Sequence, residues 1–338
     1  MVEKSKIIVL TPVKNEDWIL EQFLEVTSLF ADCIIIADQQ STDNSRAICA
    51  KFSKVHLVNN DNKDFCEDAR QVLLIDTARK LFPSERRILL GLDSDEIFSA
   101  DSLLSKNTWN TIRDSEPGTS LYFERSDLLF DPKKCIRGKS HSLYFPIGYV
   151  DDGISHRPTE IHSRRVPHNP AGKDIYIDDI KIVHFLFSRI KVSYSKMRYY
   201  AVIENVKETS KFYIRRYAYN PAKVSKNMNI ERVENTPKEW LAGWENRNIN
   251  LTKFSEPEFS WQDFEVLKYF KKYGYSKFHL DEIWDFDWEA CWQAAHKSGK
   301  EVPELPIAKP NKLVFTSLSV IDNLYILSRK LRFIQSNN

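Results

Sequence analysis

Several features are scarce or missing in this 338-residue chain, and each shortage excludes a class of protein. Glycine occurs only nine times and no repeat or low-complexity stretch is visible, which excludes collagen-like and repetitive chains. No apolar run approaches the roughly 18 residues of a transmembrane helix. The N-terminal run Ile7–Leu10 is too short for a signal-peptide core and is followed at once by Pro12.

Cysteine and net charge are low as well. The five cysteines are odd in number, widely spaced and without a CxxC pair, so we expect no disulfide framework and no Cys-rich zinc site. This usage favours a reducing, cytoplasmic location. Lys plus Arg number 49 and Asp plus Glu 47, giving a net charge of +2 and no support for nucleic-acid binding. The hydrophobic fraction of 42% predicts a globular chain with an ample core.

The N-terminal third alternates buried β-branched runs with helical patterns, which predicts an α/β domain with a mostly parallel sheet. The predicted strands are Lys6–Thr11, Cys33–Ala37, Val55–Val58 and Arg87–Leu92. Further strands are predicted near 120–124, 143–150 and 181–187. From about 190 onward, aromatic and charged residues recur at helical spacing, and the last helix is predicted at 311–334. We therefore predict an α/β domain over 1–190 and a helical C-terminal extension over 191–338.

The strongest chemical signal is Asp93-Ser94-Asp95, directly after the predicted strand Arg87–Leu92. Residues i and i+2 of an extended chain point the same way, so Asp93 and Asp95 can converge on one ion at the carboxyl end of the strand. Hard divalent cations take carboxylates together with substrate phosphates. The alternative is a surface turn that uses Asp and Ser for local hydrogen bonds.

Two other predicted strands end in polar turns. The first turn reads Thr11-Pro12-Val13-Lys14-Asn15-Glu16, and the second begins at Asp38 and continues through Ser41-Thr42-Asp43-Asn44-Ser45. Asp38 would accept hydrogen bonds from a base or ribose. The alternative is plain helix capping, at the first turn by Asn15 or Asp17. Neither turn carries a glycine-rich dinucleotide or Walker-type motif.

These three turns, in this order, resemble those of family-2 glycosyltransferases with the GT-A fold, over about residues 6–100. The family often has Asp-Gly where this chain has Gln39-Gln40. The resemblance implies binding of a nucleotide sugar, commonly a UDP-sugar, together with Mn²⁺ or Mg²⁺. By that resemblance, Asp95 binds the metal and Asp93 contacts ribose or metal. The nucleotide pocket would be formed by Pro12, Asn15, Glu16, Asp38 and Arg70.

The remaining site residues are expected after position 150. His184 ends an apolar strand about where related enzymes place a metal-binding histidine, so it is a third candidate metal ligand. Inverting transfer needs a carboxylate that deprotonates the acceptor hydroxyl. Glu160 fits the placement of the base in the resembling enzymes best, and Asp152 is the second candidate. A zinc site built from histidines 156, 162 and 168 matches no familiar ligand spacing.

Two basic regions suggest partners. The segment 181–216 carries an excess of Lys and Arg, which indicates either a solvated helix face or a cradle for diphosphates or a lipid-linked acceptor. In the C-terminal helix, an apolar stripe runs from Leu313 to Ile334 beside basic residues at 329–332. Such a stripe either packs against protein or lies in an anionic membrane surface, and we predict peripheral contact with the membrane.

Together these observations predict a metal-dependent glycosyltransferase, and the resemblance implies that it inverts the anomeric configuration. It would move sugar from a UDP-sugar to a saccharide or lipid-linked saccharide acceptor in cell-surface polysaccharide synthesis. The alternatives are a sugar-phosphate nucleotidyltransferase, although the usual glycine-rich loop is absent, and a non-catalytic nucleotide- or saccharide-binding module.

Overall fold

The structure is a computed structural model that describes residues 5–62, 65–137, 143–159, 161–220 and 232–336. The chain divides into two compact units. Unit 1 comprises Met1–Ser188 with Glu231–Ser255, and unit 2 comprises Arg189–Ile230 with Glu256–Asn338. The predicted boundary at 190 lies two residues from the first division. The segment Glu231–Ser255, predicted as part of the extension, belongs to unit 1.

Unit 1 is built on a mixed sheet whose main path has the order β10-β7-β6-β8-β4-β1-β2-β3, with β9 paired to both β5 and β6. The strands are β1 Lys6–Val13, β2 Cys33–Asp38, β3 Val55–Asn59, β4 Arg87–Gly91, β5 Glu96–Phe98, β6 Ser120–Leu128, β7 Lys134–Arg137, β8 Tyr144–Val150, β9 Asp174–His184 and β10 Arg232–Asn235. The α-helices within the described residues of both units are α1 Leu20–Thr27, α2 Ser45–Cys49, α3 Glu67–Leu81, α4 Lys106–Asp114, α5 Ile190–Lys207, α6 Phe212–Ala218, α7 Lys238–Glu245, α8 Trp261–Tyr273, α9 Trp288–Lys297 and α10 Lys312–Ser336.

The predicted α/β fold class is confirmed. Strands β1 to β4 are parallel, and β1, β2 and β4 are buried because their apolar runs fill both faces of the sheet. Strand β3, at the end of the strand order, is only partly buried. One face packs against α1 and α2, and the other against α3. The short strands β5, β7 and β10 were not predicted, since three or four residues carry no usable periodicity.

Strand direction gathers several loops at one edge of the sheet. We call this the carboxyl edge, and the strands β1 to β4 all end there, at Val13, Asp38, Asn59 and Gly91. Strand β8 is antiparallel to both β4 and β6, so β6 runs in the same direction as β4, and β9 is parallel to β6. His184 at the end of β9 therefore lies at the carboxyl edge too.

The described part of unit 2 is helical, as predicted, and several of its arginines are buried in ion pairs. Arg198 pairs with Asp263 at 2.7 Å, and Arg215 pairs with Asp281 at 2.9 Å. These arginines belong to the basic segment 181–216, so that part of its charge is neutralised inside the unit and forms no open cradle. No helix in the described ranges is long and apolar enough to cross a membrane.

Candidate functional site

The loops after β1 and β2 are cross-linked by side chains that bond to the backbone. The Asn15 amide donates to Ser41 Oγ at 2.9 Å, and the Thr42 amide donates to Asn15 Oδ1 at 2.7 Å. The Glu16 amide donates to Ser45 Oγ at 2.9 Å. Asn15 adopts a positive φ of 57°, which asparagine tolerates better than most residues. The two polar turns seen in the sequence thus form one bonded unit at the carboxyl edge.

The capping alternative for the first turn is wrong. Helix α1 begins at Leu20, and no side chain caps its N-terminus. Asp17 instead accepts a hydrogen bond from the Asn44 amide at 3.3 Å, so it too joins the two loops. Pro12 lies within β1, opposite Ala37 of β2 and directly before these loops.

Asp38 ends β2 with a carboxylate that is 1% exposed. Its Oδ2 accepts a hydrogen bond from Arg46 Nη1 at 2.6 Å. Its Oδ1 is buried and has no hydrogen-bond partner among the residues that the structure describes. A buried acceptor left unpaired costs about 1–3 kcal/mol, and native structures rarely contain one without a reason. A ligand that donates a hydrogen bond to Oδ1 would remove this cost.

Asp93 and Glu96 are held by arginines from distant segments. Asp93 Oδ2 accepts a hydrogen bond from Arg165 Nη2 at 2.7 Å. Glu96 is fully buried between Arg165 and Arg125, whose Nη1 lies 3.1 Å from Glu96 Oε1. Burial alone would raise the pKa of Glu96, but the two guanidinium groups and His184 lower it to about 2. Glu96 is thus a fixed negative charge beneath the turn.

The segment that carries Arg165 crosses the sheet at Gly91. A Cβ atom at Gly91 would lie only 2.7 Å from the Cβ atom of Arg165 and 3.3 Å from Val166. Glycine is therefore required at the end of β4, since any side chain would push Arg165 away from Asp93.

Asp95 and His184 converge at the same edge. His184 Nε2 lies 3.5 Å from Asp95 Oδ2, and His184 Nδ1 lies 2.6 Å from Asp127 Oδ1. Strand register produces this meeting, because β9 places His184 opposite both Glu96 of β5 and Asp127 of β6. Burial lowers the pKa of His184, but Asp95 and Asp127 together raise it to about 9.

These residues fit a divalent cation only in part. Among the described residues, no group of three or more His, Cys, Asp or Glu side chains is arranged to hold an ion. Asp95 and His184 could supply two ligands, and Asp127 holds the imidazole from behind, as a carboxylate commonly does for a metal-bound histidine. Asp93 is engaged by Arg165 instead. An ion held here would take its remaining ligands from a bound diphosphate or water.

The zinc alternative receives no support from the neighbours of the histidines concerned. His156 Nε2 lies 2.9 Å from Gln71 Oε1, and His168 Nδ1 lies 3.2 Å from Ser120 Oγ. Both are ordinary structural hydrogen bonds.

Arg70 lies in the second turn of α3, which follows β3 at the carboxyl edge. Its Nη2 is 3.6 Å from Glu67 Oε1, and its Nε is buried without a hydrogen-bond partner in the described ranges. Glu67 also accepts a hydrogen bond from the Ser163 amide at 3.1 Å. The start of α3 is therefore bonded to the segment that follows position 160. Glu160 itself lies outside the described residues.

The proposal that Asp152 acts as the base is not supported by its position. Asp152 follows β8, whose last residue Val150 pairs with Ile88 near the start of β4, so Asp152 lies at the opposite, amino edge of the sheet. Its oxygens accept hydrogen bonds from Tyr149 Oη at 2.6 Å and Asn169 Nδ2 at 2.9 Å. Burial raises the pKa of Asp152, but the hydrogen bonds from these donors lower it by more, so the net pKa is below its usual value. Asp152 is therefore a poor base.

Sequence reasoning missed four residues around the turn. Glu96 could have been found from the sequence, because it directly follows Asp95 and is a third acidic residue at the end of the strand. Arg125 and Asp127 had none, because they lie on β6 about 30 residues away from the turn. Arg165 likewise reaches Asp93 from a segment without regular structure.

No protein-family model matches the chain, and its sequence matches no curated protein. Solved structures give low-scoring superpositions. Glucosyl-3-phosphoglycerate synthase from Mycobacterium tuberculosis, solved with Mn²⁺, UDP and glucosyl-3-phosphoglycerate, is 20% identical over 36% of this chain, with a TM-score of 0.26. The superposition spans less than half, 44%, of the length of that synthase.

Two other structures superpose over longer shares. A 4-diphosphocytidyl-2C-methyl-D-erythritol synthase is 16% identical over 44% of this chain and 75% of its own, with a TM-score of 0.30. A glycosyltransferase involved in glycosylation of the major capsid of PBCV-1 is 15% identical over 53% and 93%, also with a TM-score of 0.30. Similarities this low establish nothing about the function of this chain, which has to be inferred from its own residues.

Proposed function

We propose that this chain is a glycosyltransferase that transfers a sugar from a nucleotide-sugar donor, a UDP-sugar, to a saccharide acceptor. The observation that carries the proposal is the meeting of Asp95 and His184 at the carboxyl edge, 3.5 Å apart, with Asp127 behind the imidazole. Open α/β sheets bind ligands at this edge, and the resemblance of the three turns to family-2 enzymes names the ligand class.

The donor nucleotide would lie across the two bonded loops. Asp38 Oδ1 is a buried acceptor without a donor, which suits an N–H of uracil or a ribose hydroxyl. Arg70 Nε is a buried donor without an acceptor and suits an oxygen of the nucleotide. Pro12, Asn15 and Glu16 form the wall of the pocket in this proposal, since they lie at the end of β1 beside Asp38.

Asp95 and His184 would hold a divalent cation, Mn²⁺ or Mg²⁺, in this proposal. Such an ion neutralises the charge that develops on a leaving diphosphate. The chain's own part is to orient the ligands: Asp127 fixes the His184 ring, and Arg165 holds Asp93 at the side of the site. His184 must lose its proton to become a ligand, so ion binding competes with the Asp95–His184 ion pair.

Inverting transfer also needs a base on the acceptor side, and we propose Glu160 on the strength of the resemblance. With Asp152 at the other edge, it is the remaining candidate from the sequence. A carboxylate in this role takes the proton of the attacking hydroxyl as the bond to the anomeric carbon forms.

A cavity of about 390 Å³ in unit 1 suits the acceptor. It is lined by Phe130 and Pro132 from the β6–β7 turn, by Ser188, and by residues 251–255. Phe254 in this wall packs against Phe185, the neighbour of His184, with ring centroids 5.6 Å apart. The exposed ring of Phe130, with the hydroxyl group of Ser188 in the same lining, suits a saccharide acceptor, either free or lipid-linked. A cytoplasmic role in cell-surface polysaccharide synthesis is the setting that we propose from the resemblance.

The test is calorimetric titration of the purified chain with UDP and with CDP, with and without Mn²⁺, followed by incubation with UDP-sugars. We expect UDP to bind only with the ion and the matching UDP-sugar to be hydrolysed slowly. Binding without hydrolysis or transfer would favour the non-catalytic module. Release of pyrophosphate from a nucleoside triphosphate and a sugar phosphate would show a nucleotidyltransferase and contradict the proposal.

The base assignment has its own test. We expect Glu160→Gln to abolish transfer and to leave UDP affinity unchanged, because Gln keeps the shape of Glu and lacks the basic oxygen. Near-normal turnover of the variant would refute the assignment.

A further inference from the structure

Helix α10 packs against its own unit along one face only. Leu318 and Asp322 are buried on that face, where Asp322 Oδ2 pairs with Arg216 Nη2 of α6 at 3.0 Å. Tyr325 packs against Tyr213, and Arg329 lies 4.6 Å above the ring of Tyr217. None of these packed residues belongs to the apolar stripe predicted from the sequence, so the core alternative for that stripe is wrong for its members whose side chains the structure describes.

The predicted apolar stripe lies on the other side of the helix as an exposed row. Its five residues expose between 54% and 78% of their surface: Leu313, Val320, Leu324, Leu327 and Leu331. Together with Ser317 they are spaced alternately by four and three residues, the repeat of a coiled-coil seam. At about 100° per residue these six positions cover an arc of only about 80°. This is the narrow stripe typical of helix pairing, rather than the wide face of a helix that lies in a membrane.

Between Lys312 and Arg329, the stretch of α10 that precedes Lys330 and Arg332, few charges lie near the exposed row. The exposed neighbours of the row include Thr316, Ser319 and Asn323, which are uncharged. Arg329 is drawn to the packed side by Tyr217. Among the residues of α10 whose side chains are described, only Lys312 places a positive charge near the exposed row, whereas interfacial helices carry several beside the apolar face.

A groove beside the start of the row can accommodate an apolar side chain of a partner. It has a volume of about 310 Å³ and is lined by Phe212, Leu280, Leu313, Ser317 and Leu318, among others. Ser317 is the one small residue of the row, so the seam is widest next to this groove.

From these observations we propose that the exposed row of α10 binds the same row of a second copy of this chain, in antiparallel orientation. Antiparallel pairing around the level of residue 322 sets Val320 opposite Leu324, Leu313 opposite Leu331, and Ser317 opposite Leu327. The large Leu327 of each copy thereby fills the space left by Ser317 and the groove. Parallel pairing would set Ser317 against itself and leave both grooves empty. The contact is self-complementary, as a twofold dimer requires.

The area available sets the expected strength. Five aliphatic side chains, each losing roughly 100 Å² of exposed surface, give about 500 Å² per partner, which is below the ~800 Å² per partner of standard interfaces. We therefore expect a dimer that dissociates on dilution, and this expectation is independent of the proposed enzymatic function.

The test is sedimentation equilibrium of the full chain over a wide concentration range, with Leu324→Glu as the disrupting variant. Leu324 is 61% exposed, so the substitution leaves the fold of the monomer intact, and circular dichroism checks this. We expect a dimer for the unmodified chain and at least about tenfold weaker association for the variant. The matched control is Ser319→Glu, which adds the same charge on an exposed position outside the row and should still dimerise.

A second measurement checks the orientation. In the double variant Ser317→Cys, Leu327→Cys the two positions are about 15 Å apart along one helix, so a disulfide between them can form only across two copies. We expect a covalent dimer on mild oxidation, and cross-linking by Leu324→Cys alone would indicate parallel pairing and overturn the orientation. A monomer at every concentration, or a dimer that Leu324→Glu does not weaken, would overturn the proposal. Flotation of monomers with anionic vesicles, lost in Leu324→Glu, would assign the row to a membrane instead.

Discussion

Buried carboxylates at the two edges of the same sheet differ in how many of their hydrogen-bond acceptors are used. At the amino edge, Asp151 is saturated: its oxygens accept hydrogen bonds from Arg79 at 2.7 and 3.1 Å and from Arg87 at 2.8 Å. At the carboxyl edge, Asp38 is just as buried, yet one of its oxygens accepts no hydrogen bond from any described residue. Saturated pairs stabilise the fold, while the unpaired oxygen costs stability unless a ligand completes it. The contrast separates structural acids from candidate functional ones, although both kinds look alike in the sequence.

The largest effect is expected from breaking the saturated edge with Asp151→Asn. The substitution leaves Arg79 and Arg87 without their buried counter-charge, and such losses cost about 3–5 kcal/mol of unfolding free energy. Burial raises the pKa of Asp151, but hydrogen bonds from the two arginines lower it by more. The pKa of Asp151 in the folded state is therefore below its usual value.

The pH dependence of this effect has a definite sign. Because the pKa of Asp151 is lower in the folded than in the unfolded state, its stabilisation is present above the unfolded value and lost as pH falls through the folded one. Urea titrations at neutral and acidic pH should show the variant destabilised at neutral pH and the difference shrinking in acid. An unchanged midpoint at neutral pH would show that the pair contributes nothing.

Breaking the carboxyl edge with Asp95→Ala should instead affect ligand binding. The substitution removes a ligand oxygen and leaves a bound diphosphate poorly neutralised, so we expect UDP affinity in Mn²⁺ to fall by about 100-fold or more. Calorimetry measures this, and EDTA treatment of the unmodified chain should produce a similar loss. Unchanged affinity in both experiments would refute the metal role of Asp95.

The third change, Asp38→Asn, sharpens the comparison within the carboxyl edge. Removing the charge weakens the hydrogen bond that Asp38 would accept from the nucleotide. We therefore expect UDP binding to lose about 1–3 kcal/mol of free energy. Stability should change little, because one oxygen of Asp38 has no partner to lose and Arg46 is half exposed. A large loss of stability with normal UDP binding would instead make Asp38 a structural residue like Asp151.

The smallest effect is expected for Asp152→Asn. This residue lies at the amino edge, and its partners are neutral donors, so turnover should stay within about twofold of the unmodified chain. Steady-state kinetics decide the matter, with Glu160→Gln measured beside it. A dead Asp152→Asn variant would contradict the division into two edges.

The sequence by itself determined the α/β class, the strands β1 to β4, and the position of the polar turns at their ends. These features can be recognised locally in the sequence. A strand that is buried on both faces appears as a continuous apolar run, and the exposed turn after it appears as a run of polar residues. The last helix was equally readable, predicted at 311–334 and observed at Lys312–Ser336.

Only the tertiary structure decided which of these residues meet. His184 reaches Asp95 and Asp127 because β9 pairs with both β5 and β6, and Asp152 is removed from the site because β8 runs antiparallel to β4. Arg165 contacts Asp93 across more than 70 residues of chain. Strand order and register are set by packing over long sequence separations, and a single sequence carries no local pattern that specifies them.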